Sequence, residues 1–199
     1  MGEYIRKSRE ERYEEIRSAA LKVFLEKGYR NTTMEDIINA TSLSKGGFYH
    51  YYRSTKQILI DIMRYGNYRF IEQNIKLKEN ASREEVCMAL TNIMLDKVLN
   101  EAPERELYLM FAYEIIYDKD FEKVFLELEK ETLDIFDNIF KDNTSNCESE
   151  KLRNKNIYIS RMGNALLLTQ NLFSDKEILK KNRENLYNIF YRLYSEILE

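Results

Sequence analysis

His50 is the chain's single histidine. It stands between Tyr49 and Tyr51 in the stretch SKGGFYHYY, residues 44–52. These types at this spacing supply hydrogen-bonding groups and ring edges rather than a catalytic set. Lys45 brings a cation, Tyr49, His50 and Tyr51 bring polar-tipped rings, and Gly46 and Gly47 let the backbone approach another surface closely. One histidine and two distant cysteines, Cys87 and Cys147, build neither a nucleophile–base triad nor a zinc site. No GxxxxGK phosphate loop is present. The sequence therefore names no catalytic residue, no metal ligand and no cofactor. A polyanion fits this stretch better. A helix opened by Ser44 offers free amides and the positive end of its dipole to phosphate. Tyrosine adds a hydroxyl for phosphate and a ring edge for thymine methyls.

The elements that must hold this stretch are legible from caps and periodicity. Phe48 and Tyr52 are four apart and share one helix face. With Leu43 they can pack on Ile16, Ala20, Ile37 and Ile38, leaving Tyr49, His50 and Tyr51 outward. Ser8 with Glu11 starts an amphipathic helix that Gly28 ends. Thr33 caps a short helix, Thr41-Ser42-Leu43 makes a turn, and Ser44 caps the short helix in question. Ser54 with Gln57 opens a long helix over about 55–77. Further helices are expected over about 83–100, 104–116, 119–141, 151–172 and 175–198, the last opened by Ser174 with Glu177. Lys141 to Glu150 reads as an exposed loop. The fold class is all-α. An N-terminal helix-turn-helix domain, residues 1–54 with a basic arm at Arg6, Lys7 and Arg9, precedes a helical domain over 55–199.

Composition agrees. The 199 residues are 44% hydrophobic and 33% charged, with one proline and six glycines, which suits a globular helical protein. Residues 1–60 hold 11 basic and 8 acidic residues, a balance of +3, and the remainder holds 20 and 26, a balance of −6. The polyanion-facing part is thus the N-terminal one. The cysteines are expected to be reduced thiols. No signal peptide and no membrane-length apolar run is visible, so a cytoplasmic protein with no membrane association is expected.

Residues 16–60 resemble the DNA-binding domain of the TetR (tetracycline-repressor) family. The resemblance rests on Gly28, NTTMEDII at 31–38 and ATSLSKGGFYHYYRS at 40–54. It implies a homodimer that binds a palindromic double-stranded operator, acts as a repressor, and is released by a small, largely apolar effector in the C-terminal domain. Carried over residue by residue, it implies that Thr33 caps the second helix and touches phosphate. Ser44, Lys45 and Gly46 open the recognition helix, Gly47 takes the variable base-reading position, and Tyr49, His50 and Tyr51 meet phosphates and thymine methyls. The chain departs from the family pattern at Ser42, where glycine is usual, and at Ile38, where alanine is usual. A phosphate-binding lysine is usual where Thr55 stands; Lys56, one place later, is turned by about 100° on a helix.

The C-terminal domain carries an excess of tyrosine and methionine beyond what a core needs, and polar residues within apolar runs. Tyr68, Met94, Met110, Tyr113, Glu114, Tyr117 and Asn164 are the expected pocket residues. Leu167, Leu186, Ile189 and Leu193, on the last two helices, are the expected dimer face. A competing reading keeps the DNA-binding fold but gives the C-terminal domain a protein partner and no small molecule. A helical enzyme would need a perturbed polar cluster in a cleft, which the sequence does not show.

Overall fold

The computed structural model describes residues 7–74, 81–143, 149–175 and 177–198. Among them the regular elements are helices: α1 (Arg9–Lys27), a 3-10 turn (Tyr29–Asn31), α2 (Met34–Asn39), α3 (Lys45–Phe48), α4 (Thr55–Asn74), α5 (Arg83–Leu99), α6 (Pro103–Ile115), α7 (Lys119–Asn143), α8 (Ser149–Leu172), α9 (Glu177–Lys181) and α10 (Arg183–Leu198). The fold is an all-α helix-turn-helix domain followed by a helical C-terminal domain.

Local chemistry sets the boundaries. Ser8 with Glu11 and Ser82 with Glu85 form reciprocal capping boxes. Thr33 forms one with Asp36. Gly28 ends α1 at φ 79°, in the region that favours glycine. Pro103 occupies the first turn of α6, where its missing amide costs nothing. The structure corrects one helix. The span predicted over 175–198 is two helices that meet at Asn182, and the Glu177 amide donates to Asp175 Oδ1 at 3.2 Å in place of a Ser174 cap. The Leu186 amide then donates to the Asn182 carbonyl and opens α10. The predicted 141–150 loop is shorter, because α7 runs to Asn143 and α8 starts at Ser149. Residues 144–148, including Cys147, lie outside the described residues, as do Arg6 and the expected end of α4 at 75–77.

Two apolar cores form. The first joins Ile16, Ala20 and Phe24 of α1, Ile37 of α2, Phe48 of α3 and Ile58 and Leu59 of α4 to Leu107 and Phe111 of α6 and Phe121 of α7. Phe48 and Tyr52 are buried as the i, i+4 pattern requires. Each such side chain contributes about 1.5–3 kcal/mol through burial. This core does not stop at residue 54. The first turns of α4 complete the three N-terminal helices, and α6 and α7 continue the same packed layer. The second core lies between α5, α8 and α10, around Leu90, Leu95, Val98, Ile159 and Phe190.

Candidate nucleic-acid interface

Thr33, Ser44, Lys45, Gly46, Tyr49 and His50 are exposed, and Gly47 is half-buried. Their positions are fixed by local hydrogen bonds. The Thr33 hydroxyl accepts from the Asp36 amide at 3.2 Å and donates to the Asp36 carboxylate at 2.7 Å. Ser44 Oγ accepts from the Gly47 amide at 3.2 Å. A Cβ on Gly47 would lie 3.3 Å from that Oγ, whereas a Cβ on Gly46 would meet nothing within 4 Å. The protein's own packing therefore makes no demand for glycine at Gly46. Lys45 Nζ lies 3.7 Å from Glu35 Oε1, a loose surface pair that leaves the ammonium accessible. Tyr51 is half-buried, set edge-on against Tyr13 with centroids 5.2 Å apart. It supports the turn after α3 more than Tyr49 does.

Sequence reasoning missed what holds the turn between α2 and α3. Glu15 of α1 reaches across it. Its Oε1 accepts from the Ser42 amide at 2.7 Å, and its Oε2 accepts from Arg12 Nη1 at 2.8 Å and Lys7 Nζ at 3.0 Å. Arg12 Nη1 also donates to Ser42 Oγ at 2.9 Å. Burial alone would raise the Glu15 pKa. The hydrogen bonds from Ser42, Lys7 and Arg12 outweigh it and hold the carboxylate at about 2. The serine at the turn is thus a hydrogen-bonded anchor. Of the basic arm, Lys7 is spent on Glu15, and Arg9 donates to the Tyr13 hydroxyl at 3.3 Å.

Lys56 is engaged at the start of α7, where its Nζ donates to Asp118 Oδ2 at 2.7 Å and Asp120 Oδ2 at 2.6 Å. Nearby, Arg30 Nε donates to Glu114 Oε1 at 2.7 Å, and the guanidinium lies over the rings of Tyr113 and Tyr117 at 4.9 and 4.5 Å. These contacts tie the 3-10 turn and α4 to α6 and α7. Glu114 is buried because it meets Arg30.

Behind α1 lies a cavity of about 650 Å³. Leu21, Arg17 and Ser18 of α1 form one wall, and Ile62, Met63, Gly66 and Phe70 of α4 another. Lys97, Arg105, Tyr108, Phe111, Phe125, Leu128, Glu129, Ser160, Asn164 and Leu167 close it from α5 to α8. A space of this size falls within the roughly 300–1,000 Å³ typical of small-molecule sites. Burial, with repulsion from Arg105, pulls the Lys97 ammonium down to about 8. Burial also lowers Arg105 and raises Tyr108. Among the described residues no group of three or more metal-ligating side chains occurs, and no helix is long and apolar enough to cross a membrane.

Residues 16–62 match the family described as bacterial regulatory proteins, tetR family. The helix-turn-helix region of the chain is thus similar to the DNA-binding region of the TetR family. An HTH-type transcriptional regulator in the lacX 3' region of Lactococcus lactis subsp. lactis is 28% identical over 127 residues, 59% of this chain and 64% of that protein. The HTH-type transcriptional regulator YfiR of Bacillus subtilis is 29% identical over 108 residues, 53% of this chain and 51% of that protein. The chain thus spans less than two thirds of the length of either relative. The likeness of fold extends further than the likeness of sequence. Salmonella enterica GusR superposes with a TM-score of 0.74 at 15% identity, covering 96% of this chain and 97% of that one. The FadR regulator from Bacillus subtilis, solved with stearoyl-CoA, superposes with a TM-score of 0.66 at 16% identity, covering 94% and 98%.

Within this helical fold, the residues expected to line a pocket divide sharply. Asn164 faces the cavity. Glu114, Tyr113 and Tyr117 are engaged with Arg30 outside it, and Tyr68 is exposed. Met94 is buried in the second core, where a Cβ on Gly163 would run into its sulfur. Met110 packs on the first core. The residues expected at a dimer face also divide. Leu167 is buried on the cavity wall, Leu186 is buried in the second core and Leu193 packs against it, which leaves Ile189 exposed. The outward stripe of α8 instead carries Tyr158, Ala165, Thr169 and Leu172.

Proposed function

We propose that the chain is a transcriptional regulator, not an enzyme, that works as a homodimeric repressor on a palindromic operator and is released by a small, largely apolar ligand in the cavity behind α1. The observation that carries this reading is that α1 and α4 are at once walls of the cavity and members of the core that seats α3. A ligand that spreads the cavity must move or hold the helices that aim the recognition surface. The family match over residues 16–62 supports DNA binding, and the ligand reported with FadR supports effector control on the same fold. Thr33, Ser44, Lys45 and Gly46 supply phosphate contacts, and Gly46, free of any internal need for glycine, allows close approach of the DNA backbone. Gly47, Tyr49 and His50 face base edges, with Tyr51 behind them. The exposed stripe of α8 with Ile189 of α10 supplies the dimer face. Two recognition helices must then stand about 34 Å apart to enter successive major grooves. Coupling of about 1–3 kcal/mol between cavity and operator would change affinity roughly 5- to 150-fold.

The test is to select operators from random DNA and titrate the best one. Saturation at two or four chains per palindrome, with saturable loss of binding on adding one member of an apolar compound library, is the expected result. Operator binding that no cavity-filling compound changes would refute effector release and favour a protein partner.

A further inference from the structure

Lys97 is the group in the cavity wall that the proposed release mechanism leaves unexplained. It stands in the last turn of α5 and lines the cavity. It makes no hydrogen bond and no ion pair among the described residues. Its charged neighbours do not supply what it lacks. Arg105, from the first turn of α6, repels it, and Arg105 Nη2 is turned to the Asp96 carbonyl at 2.9 Å. Glu129 of α7 attracts it only at a distance, because both Glu129 oxygens are taken at 3.0 Å by Arg161 of α8. Asp96 and Glu104 also border the space, but both residues are exposed to solvent. An ammonium half-buried in a cavity wall and left without a protein partner is costly, and such a group persists where something else neutralises it.

The rest of the wall indicates the shape of that partner. Leu21, Ile62, Phe111, Phe125 and Leu128 give one apolar lining, and Ser160 and Asn164 add neutral hydrogen-bonding groups. We infer that the cavity selects an amphipathic anion, an apolar body ending in a carboxylate, whose head is held by Lys97 and Arg105. A neutral ligand would leave Lys97 unpaired, and a cationic one would add to the repulsion already set up by Arg105. The inference rests on the effector reading above and narrows it to a chemical class. Lys97 is an ion-pairing residue and Arg105 its companion at one end of the cavity, while the apolar walls set the length of the body.

The experiment compares decanoate with decan-1-ol, equal in chain length and different in head charge, by titration calorimetry on the full chain. Wild type should bind decanoate roughly 10- to 100-fold more tightly than the alcohol, the worth of a charge-assisted hydrogen bond. Lys97→Met should erase that preference and leave the alcohol's affinity within about twofold. It should also raise the melting temperature of the unliganded protein, because it removes an unpaired, half-buried charge; this shows that the variant folds. Lys97→Arg should keep the preference. If wild type binds the alcohol as tightly as decanoate, the anion inference falls while the cavity remains an effector site. If decanoate is preferred equally by Lys97→Met, the assignment of Lys97 falls. If neither amphiphile binds, both the inference and the effector reading of this cavity fall.

Discussion

Replacing Glu15 by glutamine removes one charge and keeps the side chain's length. In the native protein this carboxylate joins α1 to the helix-turn-helix turn through Ser42, with Arg12 and Lys7 on its other oxygen. Its pKa falls from 4.5 to about 2 on folding. Full proton linkage would make that about 3 kcal/mol. Solvent reaches this edge of the domain and screens the charges, so about 1–2 kcal/mol is the realistic contribution. The sign follows from the lowered native pKa. The contribution is complete above about 4.5 and drains as pH falls through about 2. Urea unfolding of wild type and Glu15→Gln, followed from pH 7 down to pH 3, measures it. With a slope of about 1–3 kcal/mol per molar urea, the midpoints should differ by roughly 1 M at neutral pH. By pH 3 more than half of the difference should be gone. Operator affinity should fall as well, because the turn sets the start of α3. Coincident midpoints at all pH values would refute the idea that Glu15 braces the turn.

Lys45→Ala should reduce the slope of log affinity against log salt by about 1, whereas Lys56→Ala should leave it unchanged, since Lys56 is held by Asp118 and Asp120; equal slopes for the two variants would overturn their assignment. Gly66→Ala places a methyl where nothing lies within 4 Å inside helix α4 and should stabilise the protein by about 1 kcal/mol. Gly163→Ala drives a methyl into the buried Met94 and should cost about 1–3 kcal/mol; thermal melts check both glycine variants. Lys97 titrates at about 8 in the native protein against 10.5 in its ordinary state. Between these values the unfolded chain holds more protons, so wild-type stability should gain from this residue as pH rises from about 8 towards 10. Lys97→Met should lose that gain, which denaturant melts at pH 7.5 and 9.5 would show.

The recognition surface was legible because its logic is local. Phe48 and Tyr52 lie one helical turn apart, and Ser44 caps three residues ahead, so spacing alone divides core from surface. The rotation that takes Lys56 away from Thr55's place was equally readable, and the structure supplies its destination. The brace on the turn was not readable, since Glu15 and Ser42 are 27 residues apart and neither carries a motif. The pocket residues were legible only in part for a related reason. Asn164 lines the cavity, while Tyr113, Tyr117 and Glu114 answer to Arg30, 84 residues before Glu114. The useful cue was the one already applied to Glu114. Lys97 is a charge inside the apolar run IMLDKVL, and a charge in such a place needs a partner.

Whether the exposed face of α3 and the turn after it reads DNA is decided by fluorescence anisotropy on a selected operator, with wild type and Tyr49→Ala side by side at two salt concentrations. Wild type should bind specifically, near 10⁻⁸ M or tighter, and Tyr49→Ala should fall to weak, salt-sensitive binding with dimer and melting temperature unchanged. Equal operator affinity for the two proteins would overturn the proposed interface.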